Sequence, residues 1–123
     1  EVNVDKTEHV IARATALIEA HPNARVACLG LAFKPNIDDF RESPALDVAA
    51  ALVAKFGRRI SLVEPFARHL PDALSGAGVS LVELDEALGT CDVLILLVDH
   101  DVFKAVAADE FTGKAVYDTR GIW

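Results

Sequence analysis

Basic side chains follow two apolar runs of this 123-residue chain. Lys34 and Arg41 lie in the charged stretch after the run 26–31, and Arg120 follows the run 114–118. Short apolar runs that end in polar turns are typical of buried parallel strands, whose carboxyl ends meet at one edge of a sheet. Cationic side chains at such an edge, beside the start of a helix, favour phosphate. The sequence therefore predicts a crevice for an anionic ligand, on which Lys34, Arg41 and Arg120 converge.

Two of these charges, and one neighbouring motif, also have a simpler interpretation. Lys34 follows Phe33 and is equally well explained as a solvated lysine beside a core aromatic residue. Arg41 and Glu42 could form a solvated local pair, which would contribute little to stability. The Asp-His-Asp motif at 99–101 shares only its composition with a hydrolase triad, and we interpret it as the cap of the following helix. Spacing alone does not decide between these interpretations.

Strand-like and helix-like segments alternate along the chain. Apolar residues recur at helical spacing in 2–20 and 44–56, where Ser43 is a candidate N-cap and Pro44 suits the first helical position. The alternation predicts an α/β fold: a three-layer, open parallel sheet with helices on both faces and strand order 3-2-1-4-5. The predicted strands are 25–31, 59–65, 79–81, 92–98 and 114–118, and shorter helices are predicted at 83–88, closed by Gly89, and at 103–107.

The composition disfavours several classes of function. A net charge of −7 argues against sequence-independent nucleic-acid binding, which needs a basic face. The run 93–98 is the longest apolar one and is too short to cross a membrane. Cys28 and Cys91 stand apart without metal-ligand spacing, so we interpret them as inert buried thiols and predict no metal site. Together these features predict a cytoplasmic protein that binds neither nucleic acid nor membrane.

The first turn lacks the glycine pattern of a dinucleotide site. Gly30 stands alone in front of residues 31–33, where a GxGxxG pattern would let the backbone approach a pyrophosphate. A complete NAD-binding domain is therefore disfavoured. The chain also begins at Glu1 without a methionine, and we interpret it as a piece of a longer protein.

Three separated motifs carry a family resemblance. Residues 30–45 (GLAFKPNIDDFRESPA) resemble the signature of the C-terminal, UDP-binding domain of the UDP-glucose/GDP-mannose dehydrogenase family, which has a Rossmann-like fold. Residues 97–104 (LVDHDVFK) and 116–123 (VYDTRGIW) are similar to the same domain, so the resemblance covers 24–123. Residues 1–20 resemble the end of the central helix through which these enzymes dimerise. The sequences of residues 35–39 (PNIDD) and 118–123 (DTRGIW) are most similar to those of the subgroup that acts on UDP-N-acetyl-D-mannosamine.

The resemblance implies an activity and a set of site residues. The parent enzymes use NAD to oxidise the sugar C6 alcohol to a carboxylate, and they assemble as homodimers or higher oligomers. Their N-terminal domain holds NAD and their central domain supplies a catalytic cysteine, so the resemblance implies no catalytic residue in this chain and no activity of the chain alone. It implies that Phe33, Lys34 and Arg120 bind the UDP-sugar and that Arg41 faces the cofactor. Pro35 stands where UDP-glucose enzymes often have a second lysine, which argues against glucose.

A different class of function stays open beside this one. The chain could be a stand-alone nucleotide-binding or regulatory module that performs no chemistry. The two hypotheses differ in what precedes Glu1 in the gene, because the enzyme needs an upstream NAD-binding domain with its own GxGxxG turn.

Overall fold

A sheet of parallel strands lies at the centre of the computed structural model, which describes residues 4–32, 36, 43–71, 74 and 78–123. Within those ranges the sheet has four strands in the order β2-β1-β3-β4. Every residue of the first three strands is buried, as expected for strands covered on both faces. The strands are β1 (Val26–Leu29), β2 (Ile60–Val63), β3 (Val93–Leu96) and β4 (Ala115–Asp118).

Helices cover both faces of this sheet. Helices α1 (Val4–Glu19) and α2 (Pro44–Phe56) share one core cluster with the inward side chains of Val26 and Cys28. Helices α3 (Leu84–Thr90) and α4 (Asp101–Lys104) belong to a second cluster on the other face. This cluster includes Ala27 and Leu29, which alternate along β1 with the residues of the first cluster. The predicted three-layer α/β fold is therefore confirmed. No helix within the described ranges combines the length and apolar character needed to cross a bilayer.

Three predicted elements differ from those observed. The predicted strand 79–81 is reduced to an isolated bridge between Leu62 and Leu81, although this bridge lies beside β2, as the predicted strand order requires. Helix α3 continues through Gly89 to Thr90, so Gly89 does not close it. Helix α4 spans Asp101–Lys104, so Phe103 lies in a helix as predicted, whereas residues 105–107 do not belong to α4.

Both cysteines are buried free thiols, as predicted. Burial raises the pKa of the Cys28 thiol to about 12, and the nearby Cys91 adds to this shift. A thiol with so high a pKa stays protonated at neutral pH and is a poor nucleophile, which fits an inert core residue.

Ser43 fixes the point at which α2 begins. Its hydroxyl accepts a hydrogen bond from the Leu46 N–H at 3.2 Å and donates one to the Leu31 carbonyl at 2.8 Å. The side chain is buried, and Pro44 occupies the first helical position, as predicted. Ser43 therefore joins the start of α2 to the segment that leaves β1.

We expect Ser43→Ala to lower the free energy of unfolding by about 1–2 kcal/mol, because one hydroxyl serves both the helix cap and a buried carbonyl. Denaturant unfolding of the 123-residue chain measures this loss. Ser80→Ala is the matched control, since Ser80 is exposed and its truncation should change stability by less than about 0.5 kcal/mol. Equal midpoints for the wild type and Ser43→Ala would contradict the cap.

Candidate functional site

The carboxyl ends of the strands bring several polar residues to one edge of the sheet. Glu64 follows β2, Asp99 and His100 follow β3, and Arg120 follows β4. Of the predicted ligand-binding residues, Arg120 lies at this edge, whereas Phe33, Lys34 and Arg41 fall outside the described residues. The predicted convergence of three cations therefore stays a prediction.

Gly30 shapes the turn that leaves β1. Its φ of +98° is one that residues with a side chain rarely adopt. A Cβ atom placed on Gly30 would lie 2.6 Å from Val98 Cβ, well inside van der Waals contact. The Gly30 N–H donates to the Val63 carbonyl at 2.8 Å. Glycine is thus required here for packing between the ends of β1 and β3.

The Glu64 carboxylate lies against the backbone amides of this turn, where an anionic ligand could otherwise bind. Oε1 accepts hydrogen bonds from the N–H groups of Leu31 at 2.8 Å and Ala32 at 3.2 Å, and Oε2 accepts one from Phe66 at 3.0 Å. In dinucleotide-binding folds the amides after the first strand approach the pyrophosphate. Here two of those amides already hold an internal carboxylate, so the turn does not fit the pyrophosphate of NAD.

His100 completes a buried pair with Glu64. Its Nε2 lies 2.9 Å from Glu64 Oε1, and both side chains are fully buried. The rings of Phe66 and Phe103 both contact the imidazole, with centroids 4.9 Å and 5.4 Å from its own. On the other ring nitrogen, Nδ1 accepts a hydrogen bond from the Asn36 N–H at 2.7 Å.

The interpretation of the Asp-His-Asp motif as a helix cap is wrong. His100 occupies the N-cap position of α4, but its side chain makes no capping hydrogen bond. Instead, the Asn36 side chain serves α4, because its Oδ1 accepts a hydrogen bond from the Asp101 N–H at 3.0 Å. The imidazole turns inward to Glu64, since that contact satisfies two polar groups that burial would otherwise leave unpaired.

Hydrogen bonding determines the charge state of Glu64. Burial alone would raise its pKa, but the bonds donated by His100, Leu31 and Phe66 outweigh burial and lower the pKa below the ordinary value of 4.5. Glu64 is therefore ionised at neutral pH, with donors around both carboxylate oxygens.

Arg120 lies beside Asp99 at the carboxyl edge of the sheet. Its Nε lies 3.5 Å from Asp99 Oδ1, and about half of the arginine side chain is exposed. The contact is an ion pair rather than a hydrogen bond, and Asp99 Oδ1 has no hydrogen-bond partner among the described residues. An exposed pair contributes little to stability, but it keeps the guanidinium near the carboxyl end of β3.

The turn 118–123 fixes the backbone around Arg120. Asp118 Oδ1 accepts hydrogen bonds from the N–H groups of Arg120 at 2.8 Å and Gly121 at 2.7 Å, and Oδ2 accepts one from Trp123 at 2.8 Å. Burial acts to raise the pKa of Asp118, but these bonds lower it overall. The Trp123 indole donates to the Phe103 carbonyl at 2.7 Å, which anchors the turn on the second core cluster.

Sequence reasoning missed three residues of this edge, Glu64, Asp118 and Asn36, and assigned the wrong role to a fourth, His100. Asp118 has a local signal, because an aspartate followed by Thr-Arg-Gly is typical of an Asx turn. Glu64 has a weaker one, a carboxylate that ends a buried apolar strand. His100 and Asn36 have none, since their contact joins residues 64 positions apart.

The chain matches a known family over most of its length. Residues 27–123 match the UDP-glucose/GDP-mannose dehydrogenase family, UDP binding domain. The chain belongs to this family. The resemblance found in the sequence is thereby confirmed.

Individual relatives agree with the family. The chain is 43% identical to a UDP-N-acetyl-D-mannosamine dehydrogenase of Salmonella typhi, covering 98% of this chain and 29% of the relative. It is 39% identical to an NDP-N-acetyl-D-galactosaminuronic acid dehydrogenase of Ralstonia nicotianae, covering 100% of this chain and 29% of the relative. The chain therefore spans less than a third of the curated relatives that it matches.

A solved structure has the same fold. The crystal structure of a ternary complex of GDP-mannose dehydrogenase from Pseudomonas aeruginosa superimposes with a TM-score of 0.71 at 28% identity. The match covers 91% of this chain and 28% of that one. The three-layer, Rossmann-like sheet is thus the fold of this family's domain.

Proposed function

We propose that this chain binds the UDP-sugar of an NAD-dependent dehydrogenase, and that the sugar is UDP-N-acetyl-D-mannosamine. The observation that carries the proposal is the match of 27–123 to the UDP binding domain of the family. The relative from Salmonella typhi, which is named for that substrate, supports the choice of sugar. The whole protein would oxidise the sugar C6 alcohol to a carboxylate in the cytoplasm, and α1 would be the end of the helix through which it dimerises.

The geometry at the strand ends supports a phosphate ligand on the β3–β4 side of the crevice. Glu64 fills the first turn with a negative charge, which would repel a phosphate placed there. Arg120 instead offers a half-exposed guanidinium, on a turn held by three hydrogen bonds to Asp118. A bidentate arginine is well suited to a diphosphate. We propose that Arg120, with Phe33 and Lys34 from the loop after β1, contacts the UDP-sugar.

We expect Lys34→Ala and Arg120→Ala each to weaken UDP binding by about ten- to hundredfold, because each removes a charged hydrogen bond worth about 1.5–3 kcal/mol. Calorimetric titration of the 123-residue chain with UDP measures the dissociation constants. Lys55→Ala is the control, since Lys55 is exposed near the end of α2, at the opposite edge of the sheet. A wild-type chain that does not bind UDP would overturn the proposed function.

NAD belongs to another part of the whole protein in this proposal. The turn after β1 does not fit its pyrophosphate, because Glu64 holds the amides of Leu31 and Ala32. We propose that Arg41 nevertheless faces the cofactor across the cleft between domains.

In the whole enzyme, Arg41→Ala should raise KM for NAD by about tenfold and leave KM for the UDP-sugar within about twofold. Lys34→Ala should show the reverse pattern. Steady-state kinetics with each substrate varied in turn separates the two roles, and equal effects on both KM values would contradict the assignment of Arg41.

A further inference from the structure

A chain of hydrogen bonds joins the loop after β1 to the ends of β2 and β3. It runs from the Asn36 N–H to His100 Nδ1, and from His100 Nε2 to Glu64 Oε1. It continues from Glu64 to the N–H groups of Leu31 and Ala32. Both side chains at its centre are fully buried, so neither can contact a ligand in the crevice.

The direction of every bond in this network is fixed. A backbone N–H can only donate, so His100 Nδ1 must accept from Asn36 and carries no proton. The proton of the neutral imidazole therefore resides on Nε2, which donates to Glu64. Glu64 is an acceptor at both oxygens, because its other partners are backbone amides. One arrangement of protons satisfies all the members.

The network holds both sides of one short segment. Leu31 and Ala32 lie directly before the tripeptide 33–35, and Asn36 lies directly after it. Glu64 fixes the first side, and His100 fixes the second. The Asn36 side chain adds a further bond to the Asp101 N–H, with its backbone at a φ of +62°. The residues on either side of the tripeptide are thus held by side chains from the ends of β2 and β3, the two strands that flank β1.

Filling space does not by itself explain this arrangement. An apolar pair of similar volume would fill the same space without burying a charge. It would, however, leave the amides of Leu31, Ala32 and Asn36 without acceptors, and each buried donor left unpaired costs about 1–3 kcal/mol. What the polar pair supplies is a fixed backbone on either side of the tripeptide that contains Lys34.

We propose that Glu64 and His100 are a positioning pair, which fixes the backbone of Leu31, Ala32 and Asn36 and thereby raises the affinity of the chain for the UDP-sugar. This role rests on the proposed function, because it assigns to the pair a part in UDP-sugar binding. Preorganisation of this kind raises affinity, since backbone that is already fixed loses less conformational entropy when the ligand binds.

The test compares two substitutions of His100 in the 123-residue chain. His100→Phe keeps a ring but removes both nitrogens, whereas His100→Gln retains one acceptor and one donor. We expect His100→Phe to weaken UDP binding by about tenfold or more and His100→Gln to restore it to within about threefold of the wild type. Titration by NMR gives the dissociation constant of the folded protein in each case.

A control variant separates positioning from general loss of stability. Ile18→Ala removes core volume near the end of α1, which leads to the amino end of β1 and not to the carboxyl edge of the sheet. It should leave the UDP dissociation constant of the folded chain within about twofold. If His100→Phe does not fold, Glu64→Gln replaces it. Glutamine keeps the volume of glutamate, but its amide nitrogen can only donate and so leaves at least one of the donors around Glu64 without an acceptor, and we expect weaker UDP binding.

The outcomes distinguish the two proposals. A wild-type chain that binds UDP while His100→Phe, or Glu64→Gln in its place, binds equally well overturns the positioning role alone. A wild-type chain that does not bind UDP overturns the proposed function and the positioning role with it. Nitrogen chemical shifts of the His100 ring give an independent reading, since a proton on Nδ1 rather than Nε2 would also overturn the role of the pair.

Discussion

Glu64→Ala should lower the free energy of unfolding by about 3–5 kcal/mol, the range observed when one member of a buried polar pair is removed. The substitution leaves His100 Nε2 and the amides of Leu31, Ala32 and Phe66 without their acceptor. Each unpaired buried donor costs about 1–3 kcal/mol, offset where water enters the space. Denaturant unfolding measures the loss.

Two further variants sharpen this prediction. Glu83→Ala is the matched control, because Glu83 is exposed and makes no capping hydrogen bond with its side chain. It should change stability by less than about 0.5 kcal/mol. A Glu64→Ala chain as stable as Glu83→Ala would show that the network contributes nothing to the fold.

Acidity tests the same carboxylate by another route. The pKa of Glu64 is lowered in the folded state, so its contribution to stability is fully present above the unfolded value near 4.5 and is lost as the pH falls through the folded-state pKa. Glu64→Gln removes this titration. Its stability should therefore fall less steeply than that of the wild type below about pH 5, and parallel curves would contradict the assigned charge.

Gly30→Ala should destabilise the fold by about 2–5 kcal/mol, through two effects that add. The positive φ costs a residue with a Cβ about 1–2 kcal/mol, and overpacking against Val98 costs about 1–3 kcal/mol more. The added Cβ would lie 2.6 Å from Val98 Cβ and 3.0 Å from the Val98 backbone nitrogen, so the strand end itself would have to shift. The thermal midpoint and the denaturant midpoint both report this loss.

Gly113 provides the control that separates the two effects. Its φ of +79° is also positive, but a Cβ there would meet no atom within 4 Å. Gly113→Ala should therefore show only the conformational cost of about 1–2 kcal/mol. Equal losses at Gly30 and Gly113 would mean that the turn relaxes away from Val98 without cost.

Local signals explain why much of the fold could be predicted. Helix α2 begins and ends as predicted because Ser43, Pro44 and Gly57 each act on their immediate neighbours. The buried strands were recognisable as apolar runs between polar turns. Gly89 misled the prediction of α3, since a glycine inside a helix costs only about 1 kcal/mol. Continuing the helix past it lets the Cys91 N–H bond the Ala87 carbonyl at 2.9 Å.

The candidate site was predictable only in outline. The order of the strands determines which loops meet, so Arg120 could be assigned to the carboxyl edge of the sheet from topology alone. The contact between Glu64 and His100 joins residues 36 positions apart, and no periodicity or spacing encodes it. The helix-cap interpretation of 99–101 failed for this reason, because an imidazole near a helix start is drawn inward when a buried carboxylate lies opposite.

The carboxylate in the first turn also bears on how such a domain can change its ligand. A conversion to dinucleotide binding would require the loss of Glu64 and the gain of glycines near Leu31 and Ala32. The first change alone leaves buried donors unpaired, and the second alone sets a carboxylate against an incoming phosphate. Either change made alone therefore gives a protein that is less stable or binds its ligand less well than the domain before or after the full conversion. We therefore expect domains that evolve towards other ligands to change residues on the exposed β3–β4 side, such as Arg120, where a single substitution leaves no buried donor unpaired. The turn after β1 should stay unchanged.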